Sequence, residues 1–336
     1  MPFLALDCEG PLTLNDNAFE YSQAIIPRGD KFFTQISRFD DYLADVKKKE
    51  GYKAGDTLKL ILPFLKLFGA NNRSLREFSK KTLAFLPEIP EILSKLNQIL
   101  PTFIISTSYK PYLEALCEVT NFPMENVFCT EVDFDKVRLS NVEAKILEDL
   151  YKEIINMPVI ELPKDAEKPE DLPSELLKIL NRLEEIFFNI IWNMDIGIFL
   201  REVNPIGGFE KAKTCERISK ELAISLSEGF YVGDSITDTQ ALSLFKENKG
   251  IALSFNGNRY ALRSAEFYAL SKKGSIFLEL SQIFLEKGKE GLENFIKKEP
   301  YEFGKIPLQK EEFDKLVEKS EAFRKKVRGE VIGALG

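Results

Sequence analysis

The sequence of 336 residues contains no histidine. Acid–base chemistry near neutral pH must therefore use carboxylates, lysine, cysteine or tyrosine. This absence excludes a Ser-His-Asp triad, a Cys-His dyad and any metal site with histidine ligands. A metal ion, if one binds, must take oxygen ligands, and such ligands favour Mg²⁺.

Cysteine and long apolar runs are also scarce, and negative charges slightly outnumber positive ones. The four cysteines form no CxxC pair, so neither a zinc knuckle nor a disulfide framework is indicated, and we expect a cytoplasmic protein with reduced thiols. A net charge of −7 argues against a nucleic-acid partner. The longest apolar stretch, residues 186–200, is interrupted by Asn and Asp, so we expect no membrane insertion. The first residues lack the pattern of a signal peptide.

Short apolar runs with helical sequence around them indicate buried parallel strands. The run at residues 3–6 is followed by runs at 102–105 and 229–232, with further candidates at 250–255 and 126–130. Strands that alternate with helices predict an α/β fold with a doubly wound, Rossmann-like parallel sheet.

Two long, mostly helical segments interrupt this pattern. We therefore predict a discontinuous core with a helical cap inserted after the first strand and a second helical insert, either another cap or an interaction module. The charged residues near the C-terminus predict a helical extension with a solvated charged face. The predicted segments are the core at 1–14, 100–136 and 205–275, the cap at 15–99, the second insert at 137–204, and the extension at 276–336.

Polar residues follow each of the main predicted strands. Asp7 and Glu9 follow the first strand, Ser106 follows the second, and Asp234 follows the run at 229–232. Neighbouring parallel strands lie about 4.8 Å apart, so these side chains can meet in one crevice. Crowded carboxylates repel one another, and a divalent cation with a lysine relieves this repulsion. Such a site suits a phosphoryl group.

The motifs and their order resemble those of the haloacid dehalogenase (HAD) superfamily. They are Asp-x-Glu-Gly-x-Leu-Thr from Asp7, a strand that ends at Ser106, a downstream lysine, and Gly-Asp-x-x-x-Asp at 233–238. The local sequence is most similar to the phosphoserine-phosphatase-like branch. The chain is also similar to archaeal HAD-like proteins of undefined activity, some of which are labelled as a subunit of an energy-converting hydrogenase.

The resemblance implies a role for each motif residue. Asp7 attacks phosphorus and becomes an aspartyl phosphate. Glu9 protonates the leaving oxygen and then activates water, and its backbone carbonyl helps to hold Mg²⁺. Ser106 donates to a phosphoryl oxygen. Lys211 pairs with Asp7 and the phosphate, and the implied Mg²⁺ ligands are Asp7, Glu9, Asp234 and Asp238, with Asp238 acting directly or through water.

Some of these assignments have competitors in the sequence. Lys213 competes with Lys211, which is favoured because Cys215 and Ile218 give its helix an apolar face. Thr107 competes with Ser106. Glu9 stands where most hydrolases of the superfamily have Asp, which leaves open the rate and the acceptor, either water or another alcohol.

The function favoured by the sequence is a Mg²⁺-dependent HAD-type phosphatase, a phosphoric monoester hydrolase that acts on a small phosphorylated metabolite. A phosphotransferase with the same residues is one alternative. A non-catalytic accessory protein with a vestigial site is the other. The second insert and the C-terminal extension are candidate surfaces for a protein partner or for a homo-oligomer.

Overall fold

The computed structural model of the chain describes residues 2–163, 166–297 and 299–334, and one seven-stranded sheet lies at its centre. The strand order is β3-β2-β1-β4-β5-β6-β7. The strands are β1 (Phe3–Leu6), β2 (Thr102–Tyr109), β3 (Val127–Thr130), β4 (Gly229–Gly233), β5 (Ile251–Phe255), β6 (Phe267–Leu270) and β7 (Glu302–Lys305).

Strands β1 to β6 are parallel, and β7 runs antiparallel to β6 at the edge. Strand β1 lies between β2 and β4, with Leu4 opposite both Thr102 and Phe230. The carboxyl ends of these three strands therefore meet, and this is where ligands bind in open α/β sheets. The predicted α/β, Rossmann-like class is confirmed.

Fifteen α-helices occur in the described residues. They are α1 (Asn17–Ile25), α2 (Gly29–Asp41), α3 (Thr57–Leu60), α4 (Leu62–Leu67), α5 (Asn72–Thr82), α6 (Ile89–Ile99), α7 (Lys110–Thr120), α8 (Asn141–Asn156), α9 (Ser174–Glu185), α10 (Ile198–Glu202), α11 (Phe209–Leu222), α12 (Thr239–Glu247), α13 (Arg259–Ser264), α14 (Ser275–Glu293) and α15 (Lys310–Arg328). No helix of the described residues is both long enough and apolar enough to cross a membrane.

Both faces of the sheet are covered by helices. Alternate residues of β1 point to opposite sides, so Leu4 and Leu6 belong to one apolar core and Phe3 and Ala5 to another. Helices α6, α7 and α14 contribute to the first core, and α11, α12 and α13 to the second. This two-sided burial explains why β1 reads as an unbroken apolar run.

The helices of the two predicted inserts share a single apolar core. Side chains from α1, α2 and α4 lie in the same buried cluster as side chains from α8, α9 and α10. Aromatic contacts connect the two segments, for example Phe39 stacked on Phe187 with ring centroids 5.8 Å apart. The inserts are therefore one helical unit in which each segment covers the other's apolar face.

The C-terminal segment differs from the purely helical extension expected from the sequence. It contains β7, because Phe303 stacks on Phe267 with ring centroids 5.6 Å apart and the strand pairs with the exposed edge of β6. Helix α14 joins the core of the sheet. Helix α15 returns the chain to the edge where β1 and β4 end.

Candidate active site

Asp7 directly follows β1 and continues its hydrogen bonding. Its backbone N–H donates to the carbonyl of Val232 at 2.9 Å, and its side chain turns back so that Oδ1 accepts the N–H of Cys8 at 2.7 Å. The residue is 5% exposed. Gly10 then turns the chain away with φ +106°, and a Cβ there would lie 2.1 Å from Oδ2 of Asp234. Glycine is thus required where the loop passes Asp234.

Lys211 lies at the centre of a buried ion-pair network. Its Nζ is 2.6 Å from Oδ2 of Asp7 and 2.7 Å from Oδ1 of Asp238, and the side chain is fully buried. Burial alone would lower the pKa of Lys211, but the two carboxylates outweigh it and raise this pKa above its usual value. Its competitor, Lys213, is exposed and pairs with Glu210 at 3.0 Å.

Asp238 holds Lys211 in place. Its Oδ1 also accepts the hydroxyl of Tyr231 at 2.7 Å, and its Oδ2 accepts the backbone N–H groups of Asp234 at 2.9 Å and Ser235 at 3.1 Å. Burial alone would raise the pKa of Asp238, but Lys211 and these donors lower it below its usual range. Asp238 is therefore a fixed carboxylate that orients the lysine.

The pKa of Asp7 is shifted in the opposite direction to that of Asp238. Burial raises the pKa of its carboxyl well above the usual range, and repulsion from Asp238 adds to this, whereas Lys211 acts in the lowering direction. A positive charge beside Asp7, in addition to that of Lys211, would favour its ionised, nucleophilic form.

Glu9 points away from the sheet toward the cap. Its Oε1 accepts the backbone N–H of Asn17 at 2.6 Å, in the first turn of α1. Burial raises the pKa of Glu9 well above its usual range, and repulsion from Asp16 raises it further, against the opposing effects of the Asn17 hydrogen bond and Arg328. A carboxyl whose pKa is raised by burial has the character of a general acid.

Ser106 lies at the bend where β2 loses its regular register with β3. It is 1% exposed and lines the same cavity as Asp7, and its Oγ accepts the N–H of Ser108 at 3.1 Å. The hydroxyl of Thr107 donates instead to the carbonyl of Ile206 at 3.1 Å, which ties β2 to the loop before α11.

Two arginines that the sequence did not indicate complete the site. Arg324 and Arg328 of α15 both place Nη1 on Oδ2 of Asp234, the latter at 3.3 Å, and Arg324 also donates to the Asp234 carbonyl at 3.2 Å. Arg324 is 2% exposed, so this one charge does not lie on the solvated face expected for the extension. One signal was available, because Arg324 follows Leu316 and Ser320 at steps of four residues, so it lies on the buried stripe of α15.

Four of the predicted residues, Asp7, Glu9, Ser106 and Asp234, line one cavity of about 100 Å³. A water molecule occupies about 30 Å³ in the liquid, so this volume corresponds to a few waters or a group the size of a phosphoryl. Pockets for whole small molecules are usually about 300–1,000 Å³. The walls come from the sheet edge, from the cap and from the C-terminal segment, including Asp7, Ser37, Asp41, Arg324 and Ile332.

The acidic side chains of this site fit a divalent cation. Asp7, Asp234 and Asp238 are buried and can each offer an oxygen such that these atoms lie within 4.8 Å of one another. Carboxylate oxygens are the ligands that Mg²⁺ takes in proteins. Because Asp7 and Asp234 line the cavity and Asp238 lies behind them, Asp7 and Asp234 are the better placed to hold the ion.

Comparisons with known proteins agree with this architecture. No family model and no curated protein matches the chain. Among solved structures, the gene product AF1437 from Archaeoglobus fulgidus is 27% identical, with a TM-score of 0.85 over 100% of this chain and 99% of that one. A substrate-bound phosphoserine phosphatase complex is 11% identical, with a TM-score of 0.50 over 83% of this chain and 98% of that one.

The fold is thus HAD-like. At 11% identity, the phosphatase comparison establishes the fold alone. The structure of AF1437 matches the fold of this chain along its whole length. These comparisons agree with the HAD-like fold predicted from the motifs. They give no support to the energy-converting hydrogenase label.

Proposed function

We propose that the protein is a phosphatase of the HAD type, which hydrolyses a small phosphorylated metabolite through an aspartyl phosphate on Asp7. The observation that carries this proposal is the buried Asp7–Lys211–Asp238 network, whose Asp7 lines one cavity together with Glu9 and Ser106. Mg²⁺ held by Asp7 and Asp234 would supply positive charge that stabilises the phosphoryl oxygens.

The first half-reaction uses Asp7 and Glu9 in complementary protonation states. A carboxylate oxygen of Asp7 attacks phosphorus, and the bond from phosphorus to the leaving oxygen breaks. Glu9, whose pKa is raised, gives its proton to that oxygen, so the product leaves as an alcohol. Lys211 and the hydroxyl of Ser106 balance the charge on the phosphoryl oxygens.

The second half-reaction restores the enzyme. Glu9, now a carboxylate, takes a proton from a water molecule, and the water oxygen attacks phosphorus. The bond between phosphorus and Asp7 breaks, inorganic phosphate is released and the Asp7 carboxylate re-forms. The Asn17 N–H on Glu9 ties the acid–base group to α1, so the position of the cap controls the position of the proton.

A phosphatase screen with added Mg²⁺ tests this function. Wild type is expected to release phosphate from at least one small phosphomonoester, and Asp7→Asn is expected to lose more than about 1,000-fold in turnover, since removal of a nucleophile has effects of this size or larger. Asp149→Asn, an exposed change on α8, is the matched control and should retain activity.

Other outcomes separate the alternatives. Excess formation of a phosphate ester over free phosphate, when an alcohol is added, would identify a phosphotransferase. No turnover of any substrate, together with no binding of Mg²⁺ or of a phosphate analogue, would overturn the proposal and leave a non-catalytic role.

A further inference from the structure

Helix α15 reaches the candidate active site with two arginines in successive turns. Besides its contacts with Asp234, Arg328 donates from Nε to the Leu14 carbonyl at 3.3 Å and from Nη2 to the Asn15 carbonyl. These carbonyls belong to the loop that links β1 to the cap. The end of α15 therefore joins three parts of the site, namely Asp234, the loop after β1 and the entry to the cap.

The two guanidinium groups carry together the charge of one divalent cation. Both contact Oδ2 of Asp234, and Asp234 belongs to the carboxylate cluster suited to a metal ion. Gly10 lies against this oxygen from another side, where even a Cβ would be too close. Space around Oδ2 is thus already filled when α15 is docked.

We propose that Arg324 and Arg328 occupy the place of the divalent cation at Asp234, so that docking of α15 and binding of Mg²⁺ exclude each other. The inference rests on the proposed function for the identity of the cation, and it adds a regulatory element to that function. The docked helix holds the site in a closed, cation-free state, and its release admits the metal ion.

The attachment of α15 is consistent with a helix that can leave. Of its nineteen residues, the buried ones are Leu316, Val317, Ser320 and Arg324. The apolar pair packs with Leu262 in a small cluster separate from the main cores. Phe313 packs against the same small cluster, and Val327 packs against the core of the sheet. Polar contacts complete the attachment, for example the hydroxyl of Ser320 on the Gly257 carbonyl at 2.6 Å.

The end of the chain couples α15 to the cap. Ile332 lines the cavity, and Arg38 of α2 donates to the Ala334 carbonyl at 3.2 Å. Release of α15 would remove one wall of the cavity at the same time as it frees Asp234. The small cavity volume of the docked form would then no longer limit the size of the substrate.

Titration of the full-length protein with MgCl₂, followed by calorimetry, tests the exclusion without any substrate. The double variant Arg324→Met/Arg328→Met should bind Mg²⁺ at least about tenfold more tightly than wild type, because the apparent affinity rises with the populated fraction of the competent state. Lys315→Met/Lys326→Met removes the same charge from exposed positions of α15 and should leave the affinity unchanged.

Hydrogen exchange of wild type provides a second readout that does not depend on the folding of a variant. Amides of residues 320–328 should exchange faster when Mg²⁺ is raised to saturation. The inference would be overturned if the arginine variant bound Mg²⁺ with the same affinity as wild type or more weakly. It would also be overturned if hydrogen exchange in α15 did not change with Mg²⁺ concentration.

The result of the Mg²⁺-binding test can be distinguished from the result of the phosphatase test. Tighter Mg²⁺ binding by the arginine variant in a protein without phosphatase activity would keep the exclusion and reject the activity. Phosphatase activity that depends on Asp7, combined with equal Mg²⁺ affinities of wild type and the arginine variant, would keep the activity and reject the exclusion.

Discussion

Replacing Lys211 with methionine leaves two buried carboxylates without their shared cation. At an effective dielectric constant of about 20, each ion pair at its observed distance contributes about 6 kcal/mol of attraction, which the cost of desolvating the ions largely offsets. Removing one partner of such a buried network typically costs about 3–5 kcal/mol, because the charge left behind is uncompensated. We expect Lys211→Met to lower the free energy of unfolding by this amount at pH 8.

The loss should shrink at lower pH. Without Lys211 the pKa values of Asp7 and Asp238 rise, so the folded variant takes up protons that neutralise the stranded charge, and it regains stability as pH falls. Urea unfolding of wild type and variant at pH 5 and pH 8 measures both effects.

Lys213→Met serves as the control for this experiment. That lysine is exposed and makes one surface ion pair, so its removal should cost at most about 1 kcal/mol at either pH. A loss below about 1 kcal/mol for Lys211→Met, or a loss that does not change between pH 5 and pH 8, would refute the buried-network interpretation.

Two further predictions concern the loop after β1 and the cap. Gly10→Ala should destabilise the protein by at least about 2 kcal/mol in thermal or urea unfolding, because its Cβ would meet Oδ2 of Asp234 at a positive φ, whereas Gly51→Ala, with open space and φ +72°, should cost about 1 kcal/mol. Burial raises the pKa of Asp40 to about 7, so the folded state binds its proton more tightly than the unfolded chain. The resulting stability is complete below pH 4 and is lost as pH rises through 7, by about 3 kcal/mol between pH 5 and pH 8. Asp40→Asn should remove that part of the pH dependence in unfolding measured across this range, and an unchanged slope would contradict the assignment.

Much of the site follows from local sequence. Asp7, Ser106 and Asp234 each come directly after an apolar run, and the parallel sheet brings the ends of those runs together. The choice between Lys211 and Lys213 rests on helix periodicity alone, and the structure places Lys211 inside and Lys213 outside. Short-range sequence patterns are therefore sufficient to predict the positions of these residues.

Other features depend on long-range contacts and are not visible in a local pattern. Strand β7 is charged at both ends and becomes a strand because the edge of β6 is available to it. The two inserts look like separate modules, yet their apolar faces cover each other. The sequence around Arg324 resembles a solvated helix because lysine and glutamate surround it. The spacing from Leu316 and Ser320 indicates that Arg324 faces inward, but only the tertiary structure determines that it meets Asp234.

The order of Asp234 and α15 along the chain has a consequence for biosynthesis. Asp234 precedes Arg324 by 90 residues, so at about 5–20 residues per second the ribosome completes the carboxylate cluster roughly 5–20 s before it adds the first arginine. Under the proposed exclusion, Mg²⁺ would meet no competing arginine at Asp234 during that interval. The fraction of molecules that bind the ion would then depend on the rate of ion capture relative to the rate at which α15 is synthesised and docks.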